Sequence, residues 1–327
     1  MKSTPTIDPQ VAALFELASL IRPAPGVDTP AQRQIDAQLA DLADSVAPPT
    51  PLEGRIDLTG PAGPIPARVF WPAAKPDGEH PLVVYLHGGG YVVGDVDSYV
   101  HVTRELCREC AAIVVSVDYR LAPEHPYPAP VEDCLAATRA VRDRARELGG
   151  DPRKLFVIGD SAGANAAASV ALRLRDSGDL TLAGLVLMCP WLDMSLSSGS
   201  FRRFVETDPV MDEVGVRYCR DAFLAGHPET DPLVSPVLAD LHGLPPVRLV
   251  LGEVDPLLDE GIEFAARLEA CGVTAEVHVC ERMPHDFVVL PFVEMAIGAF
   301  RGVGQFVQRL AAETAAAESK PTMRRRA

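Results

Sequence analysis

From about residue 81 to residue 307 the chain alternates short apolar runs with longer amphipathic stretches. The apolar runs are rich in Val, Ile and Leu and nearly continuous, which is typical of strands buried on both faces of a parallel sheet. The predicted strands are Leu82–Leu86, Ile113–Val117, Leu155–Ile158, Leu182–Met188, Val247–Leu251 and Ala275–Val279. The helical patterns between and after them are Ser98–Cys110, Pro130–Leu148, Ala162–Arg175, Leu257–Cys271 and about 292–313. Such alternation predicts an α/β fold with a doubly wound sheet.

Three stretches fall outside this alternation, and they set the predicted domain organisation. Residues 1–50 form an N-terminal helical segment that ends in a Pro-rich run, and about 199–227 has a helical pattern without a strand. Either stretch could cover the carboxyl edge of the sheet, where ligands bind in open α/β folds. Residues 51–312 are predicted to form the core, which starts with an antiparallel hairpin of Arg55–Thr59 and Ala67–Trp71. Residues 313–327 are predicted to be a disordered tail.

The charge and the cysteines limit the partners and the compartment. A formal net charge of −15 repels nucleic-acid phosphates and anionic lipids, so we expect neither nucleic acid nor a membrane surface as a partner. The same charge disfavours a polyanionic substrate, and we expect a small neutral one. No apolar run reaches the roughly 18 residues that span a bilayer, and the N-terminus lacks the apolar region of a signal peptide. Seven cysteines, an odd number without framework spacing, indicate reduced thiols and a cytoplasmic location. Cys107 and Cys110 are interpreted as helix residues one turn apart.

A serine flanked by small residues follows one of the central predicted strands. The sequence Gly159-Asp160-Ser161-Ala162-Gly163 comes directly after Leu155–Ile158 and opens a helix rich in small residues. A nucleophile elbow needs this strand–turn–helix context, because the sharp turn leaves the serine hydroxyl exposed above the sheet. The alternative interpretation is an ordinary helix start with Ser161 as its N-cap. The motif alone does not separate the two.

A second glycine-rich segment follows the strand Leu82–Leu86. The run His87-Gly88-Gly89-Gly90 lies where lipases and esterases place the N–H donors that stabilise a tetrahedral oxyanion. Glycines let the backbone present those donors without interfering side chains. A phosphate-binding loop is the competing interpretation, but the chain has neither G-x-x-x-x-G-K-[ST] nor G-x-G-x-x-G after a strand.

A serine nucleophile needs a base, and the base needs an acid that orients it. Among the histidines after Ser161, His285 follows the last predicted strand in a loop that can reach over the strand ends. Asp255 follows Val247–Leu251 and is the candidate acid, with Glu253 and Asp259 as rivals. An N-cap ahead of Pro256 is the structural alternative for Asp255.

These segments together resemble the hormone-sensitive-lipase-like esterases of the α/β-hydrolase fold. The matching blocks are His87–Gly90, Asp118–Pro126, Gly159–Gly163, Asp255–Leu257 with Asp259–Gly261, and His285 before Phe287. They occur in the family's order over about residues 80–290. The resemblance implies a mostly parallel, eight-stranded sheet flanked by helices, with a helical cap from residues 1–50 and about 199–227.

The resemblance also implies the working parts of the site. The oxyanion hole would consist of the backbone N–H groups of Gly89, Gly90 and Ala162. The family cleaves short- to medium-chain esters without a metal or organic cofactor, and its members often dimerise through the last strand, here Ala275–Val279.

Two residues depart from the family's pattern. Ala164 stands where a second glycine often follows the elbow, and one methyl group there should not remove the chemistry. Asp286 replaces a usual glycine after the histidine, and a carboxylate so close could perturb the pKa of His285. With an ordinary pKa, activity would fall around pH 6–7 as His285 protonates.

Other functions remain for the same residues. The triad could act on an amide, thioester or lactone, because the substrate pocket depends on the cap. A ligand receptor on this fold is the alternative outside enzymes, and such proteins lose the histidine that is present here as His285.

Overall fold

Eight strands form one sheet in the computed structural model, which describes residues 5–19, 30, 33–34, 45, 49–74, 79–290 and 293–318. The strands are β1 Leu52–Gly60, β2 Gly63–Trp71, β3 His80–Leu86, β4 Ile113–Val117, β5 Gly150–Asp160, β6 Gly184–Met188, β7 Val247–Gly252 and β8 Ala275–Cys280. Their order across the sheet is β1-β2-β4-β3-β5-β6-β7-β8. β2 is antiparallel to β1 and β4, and all other neighbouring pairs are parallel. The predicted eight-stranded, mostly parallel sheet with an edge hairpin is confirmed.

Helices cover both faces of this sheet. They are α1 Pro9–Ser19, α2 Val100–Cys110, α3 Ala129–Asp143, α4 Ala145–Leu148, α5 Ser161–Ser177, α6 Gly199–Phe204, α7 Glu213–Leu224, α8 Leu258–Ala270 and α9 Glu294–Glu318. Alternate residues of β3 enter different cores, since successive strand side chains point to opposite faces. Val84 packs with side chains of α3, α5 and α8, whereas Val83 and Tyr85 pack with those of α2 and α9.

Two helix boundaries differ from the sequence predictions. Helix α9 continues to Glu318, so residues 313–318 are helical and the predicted start of a disordered tail at 313 is wrong; residues 319–327 lie outside the described residues. The helix predicted over Pro130–Leu148 is divided into α3 and α4 at Arg144. The predicted insertion at 199–227 contains α6 and α7. In the N-terminal segment α1 is helical, and most of residues 20–48 lie outside the described residues.

The topology gathers the chemically interesting loops at one edge. The carboxyl ends of parallel strands meet at the same edge of a sheet, where α/β folds bind ligands. His87 follows β3, Ser161 follows β5, and Asp255 and His285 follow β7 and β8. The loops that hold these four residues therefore converge, although up to 198 positions separate their residues in the chain.

Candidate active site

The turn between β5 and α5 holds Ser161 in an uncommon backbone conformation. Its φ of +50° lies in the left-handed region, and its side chain is only 5% exposed. A Cβ atom on Gly163 would lie 2.0 Å from the carbonyl oxygen of Leu86, so only glycine lets this turn approach β3 so closely. The structure thus has the strand–turn–helix geometry that a nucleophile elbow requires.

Ser161, His285 and Asp255 form a continuous chain of hydrogen bonds. The hydroxyl Oγ of Ser161 lies 2.8 Å from Nε2 of His285, and Nδ1 of His285 lies 3.0 and 3.1 Å from the two carboxylate oxygens of Asp255. His285 and Asp255 are only 2% and 1% exposed. Because a carboxylate accepts and cannot donate when ionised, the imidazole proton lies on Nδ1 and leaves Nε2 to accept the serine proton.

The rivals of Asp255 have other partners. Oε2 of Glu253 accepts a hydrogen bond from the backbone N–H of Arg282 at 2.9 Å. Oδ2 of Asp259 accepts one from the backbone N–H of Ser200 at 2.7 Å. Asp255 also accepts from the N–H of Leu257 at 2.8 Å, which fixes its carboxylate in place. Helix α8 has Leu257 as its N-cap, and the carboxylate of Asp255 accepts from the N–H of that residue, so Asp255 supports the start of the helix as well as His285.

The electrostatic environment favours the protonated form of His285. Burial lowers its pKa, but the carboxylates of Asp255, Asp286 and Asp208 raise it, and the net result is a pKa above the ordinary value. Asp286 is thus one of the carboxylates that raise the pKa of His285, as its place next to the histidine in the sequence predicted. The ordinary pKa of 6–7, assumed for an unperturbed histidine, does not apply to His285.

The residue before the serine, Asp160, is a buried carboxyl group. One of its oxygens accepts a short hydrogen bond from the hydroxyl of Tyr85, and the other has no hydrogen-bond partner among the described residues. Burial, together with the charge of Asp286, raises the pKa of Asp160 well above its usual range. The buried position therefore favours the neutral, protonated form of the Asp160 carboxyl group.

The N–H groups predicted to form an oxyanion hole are those of Gly89, Gly90 and Ala162, of which Ala162 directly follows Ser161. Ala162 is in the first turn of α5, where backbone N–H groups have no intrahelical acceptor. Within the described residues, the N–H groups of Gly89 and Gly90 donate to no protein atom, while the carbonyl of Gly89 accepts from Val92 and Val93. These donors are thus available to a ligand.

His87 shapes this loop and is not a second base. It is fully buried, and burial lowers its pKa to about 4, so the ring is neutral near pH 7. The ring stacks on Tyr119 with centroids 4.3 Å apart, and the hydroxyl of Tyr119 donates to the carbonyl of His87 at 2.6 Å. Tyr119 belongs to the segment Asp118–Pro126, so this segment supports the glycine-rich loop.

Two segments outside the core contact these loops. Phe223 of helix α7 stacks on Tyr91 with ring centroids 3.8 Å apart. The same helix places Cys219 against the segment His87–Gly90, here called the oxyanion loop. The Sγ of Cys219 lies 2.7 Å from the position that a Cβ atom on Gly90 would take. From the N-terminal segment, Arg33 donates to the carbonyl oxygen of Val92 at 2.8 Å, next to the same loop.

Among the residues that the structure describes, two groups of side chains have donor atoms within 4.8 Å of one another, as a metal site would need. Cys189 lies beside Asp255 and His285, but burial raises the pKa of the Cys189 thiol well above its usual range, which disfavours the thiolate that binds metals. The second group, Asp240 with His242 and Cys271, lies at the surface.

Serine hydrolases activate a hydroxyl nucleophile by placing it against an imidazole, which in turn contacts a carboxylate. The order Ser, Asp, His along the chain and the elbow after a central strand are typical of the α/β-hydrolase fold. The chain therefore has the architecture and the triad of a serine hydrolase of this fold.

Comparison with known proteins agrees with this class. The family model of the alpha/beta hydrolase fold matches residues 83–289. Carboxylesterase NlhH of Mycobacterium tuberculosis is 42% identical over 249 residues, which cover 73% of this chain and 76% of the relative. Esterase LipI of the same organism is 40% identical over 71% of this chain and 73% of its own. The chain therefore belongs to the α/β-hydrolase family, and the resemblance to hormone-sensitive-lipase-like esterases is confirmed.

Solved structures show the same architecture over nearly the whole chain. A hyperthermophilic esterase from the archaeon Pyrobaculum calidifontis superimposes with a TM-score of 0.87 at 33% identity, covering 94% of this chain and 99% of that one. The thermostable carboxylesterase EstE1, cloned from a metagenomic library, has a TM-score of 0.83 at 36% identity and covers 87% and 98%.

Proposed function

We propose that this chain hydrolyses carboxylic esters with Ser161 as nucleophile, His285 as general base and Asp255 as the orienting acid. The single observation that carries the proposal is the 2.8 Å contact between Oγ of Ser161 and Nε2 of His285, with Asp255 bonded to the other ring nitrogen. The relatives described above are esterases and carboxylesterases at about 40% identity, and this chain is a carboxylesterase.

The proposed reaction has two halves. Ser161 attacks the ester carbonyl as His285 takes its proton, and the N–H groups of Gly89, Gly90 and Ala162 stabilise the oxyanion. His285 then gives the proton to the leaving alcohol, and an acyl-serine remains. Water, deprotonated by the same imidazole, attacks the acyl group and releases the acid. Each half needs the ring to be neutral at its start, so the base works above its pKa.

Short- to medium-chain neutral esters are the proposed substrates. Helix α7 packs against the oxyanion loop, and Ser161 is only 5% exposed, which supports a covered and limited binding space. The net charge of −15 disfavours anionic substrates. Amides, thioesters and lactones are the second choice, because the triad would serve them equally. A receptor without turnover is disfavoured, because His285 is positioned to act.

Dimerisation and location are further parts of the proposal. β8 is one of the two edge strands of the sheet, and Val277 and Val279 on it are 42% and 39% exposed, which supports a homodimer through this strand. All seven cysteines are free, in agreement with a reducing cytoplasm. Among the described helices, none has the length and apolar character that crossing a membrane requires.

Hydrolysis of p-nitrophenyl esters with two to sixteen acyl carbons tests the substrate class. We expect the highest kcat/KM with short and medium chains, and its loss in Ser161→Ala while the melting temperature stays unchanged. Comparable activity in Ser161→Ala would overturn the role of Ser161. A preference for p-nitroanilides over p-nitrophenyl esters of the same acyl group would move the assignment to an amidase.

A further inference from the structure

Asp208 connects the insertion at 199–227 to the segment after β8 that carries His285, residues 281–286, here called the histidine loop. It lies between α6 and α7, and its Oδ2 accepts a hydrogen bond from the backbone N–H of His285 at 2.9 Å. Its Oδ1 accepts from the N–H groups of Val210 and Met211 at 2.9 and 2.8 Å. One carboxylate thus orders its own turn with one oxygen and holds the histidine's backbone with the other.

The rest of the histidine loop is held by contacts that do not touch His285 itself. Glu253 accepts from the N–H of Arg282 at 2.9 Å, and the carbonyl of Met283 accepts from Val254 at 3.1 Å. These contacts fix the start of the loop against β7. The backbone N–H of His285 depends on Asp208, a residue 77 positions away in the chain.

Asp208 also acts on His285 through its charge. The carboxyl groups that influence the imidazole are those of Asp255, Asp286, Asp208 and Asp160. The carboxylate of Asp208 raises the pKa of His285. Burial raises the pKa of Asp208 to about 6, against the opposing effect of the charge on His285. Asp208 is therefore mostly ionised above pH 6. This range includes the pH values above the raised pKa of His285, at which the neutral imidazole acts as the base.

We infer that Asp208 is a positioning residue through which the insertion at 199–227 fixes both the place and the basicity of His285. The inference rests on the proposed role of His285 as general base. Removing the carboxylate frees the backbone of His285 and makes the neutral imidazole more abundant at a given pH. The two effects act in opposite directions on the rate near neutral pH and can be separated by a pH profile.

The test is the pH dependence of kcat and kcat/KM for p-nitrophenyl butyrate in wild type, Asp208→Asn and Asp208→Ala. Both variants should shift the acidic limb of kcat/KM to lower pH by about half a unit or more, because a negative charge near the imidazole is lost. The alanine variant should lower the plateau of kcat by about ten-fold, since the base is less well positioned. The asparagine variant, which keeps one acceptor oxygen, should recover part of that loss.

Asp212→Ala is the matched control. Asp212 caps helix α7 by accepting from the N–H of Gly215 at 2.9 Å, so its loss weakens the same insertion without touching His285. We expect its acidic limb to coincide with that of wild type. An unchanged limb in both Asp208 variants, even with a lower melting temperature, would overturn the inference. If His285→Ala kept its activity, the role of His285 as base would fail instead, so the two failures are distinguishable.

Discussion

A Cβ atom on Gly88 would lie 2.2 Å from Oδ2 of Asp160, so the residue before the nucleophile is packed directly against the proposed oxyanion loop. The elbow and the loop are therefore fixed relative to each other by a contact between side chain and backbone. Because Oδ2 of Asp160 is buried and the carboxyl group is favoured in its neutral form, this contact needs no compensating charge.

Gly88→Ala is expected to push the loop away from Asp160 and to move the N–H groups of Gly89 and Gly90. Losing one such donor lowers kcat by about 10²–10³ in other hydrolases, and a displaced loop should cost at least about ten-fold. Steady-state kinetics with p-nitrophenyl butyrate measure the loss. In an Asp160→Ala background the added methyl group loses its closest clash, and Oη of Tyr99, 3.0 Å from the Cβ position, remains as the nearest neighbour, so the same substitution should cost less. Equal losses in both backgrounds would show that the contact does not position the loop.

Asp160→Asn is expected to change how stability depends on pH. A carboxyl group whose pKa is raised in the folded protein binds its proton more tightly there than in the unfolded chain. Its contribution to the free energy of unfolding therefore falls as pH rises above the unfolded value of about 4. Asparagine does not titrate and can accept the hydrogen bond from Tyr85. Melting temperatures between pH 4 and pH 8 should favour the variant increasingly with pH, whereas a constant difference would mean that Asp160 ionises normally.

The pH–rate profile of the wild type should have its acidic limb at higher pH than an ordinary histidine gives. The neutral imidazole is the active base, and neighbouring carboxylates raise the pKa of His285 above 6.5. Asp286→Asn should move the midpoint of kcat/KM to lower pH, and asparagine suits the positive φ of 54° at this position. A wild-type midpoint at or below 6.5 would contradict this account of the site's electrostatics.

Phe223→Ala should weaken the insertion and the binding of substrate together. The ring is fully buried and stacked on Tyr91, so its loss should cost about 3 kcal/mol in the free energy of unfolding and loosen α7 over the oxyanion loop. KM for p-nitrophenyl butyrate should rise. Val214→Ala on the same helix is the control, because Val214 is 68% exposed and should change neither quantity. Equal effects of the two substitutions would exclude a specific role for the stacked ring.

Local patterns in the sequence were sufficient for most of the fold and for the three residues that the structure brings together. Ser161 and Asp255 directly follow apolar strands, so the carboxyl edge of a parallel sheet had to bring their loops together. Strand ends were less predictable. β1 begins at Leu52 and β5 at Gly150, earlier than predicted. The Gly, Pro and charged residues at these strand ends have low strand propensity, and they are extended because they pair with neighbouring strands.

The contacts around the base could not be predicted in the same way. Asp208 lies 77 residues from His285, and Tyr85 lies 75 from Asp160, and no spacing rule connects either pair. Asp208 follows a short helix in a segment without strands, where an aspartate more often orders a turn. It does so here with Oδ1, and the second bond from Oδ2 depends on how the insertion packs against the loop after β8.

The acyl-serine intermediate of the proposed reaction can be trapped during turnover and its position determined. Wild type and Ser161→Ala would be mixed with p-nitrophenyl acetate, quenched in acid within milliseconds and digested for peptide mass spectrometry. We expect one acetyl group on Ser161 in the wild type during turnover, and neither the adduct nor turnover in the variant. An acetyl group on another residue in a variant that keeps its activity, or rapid wild-type turnover with unmodified Ser161, would show that Ser161 is not the nucleophile.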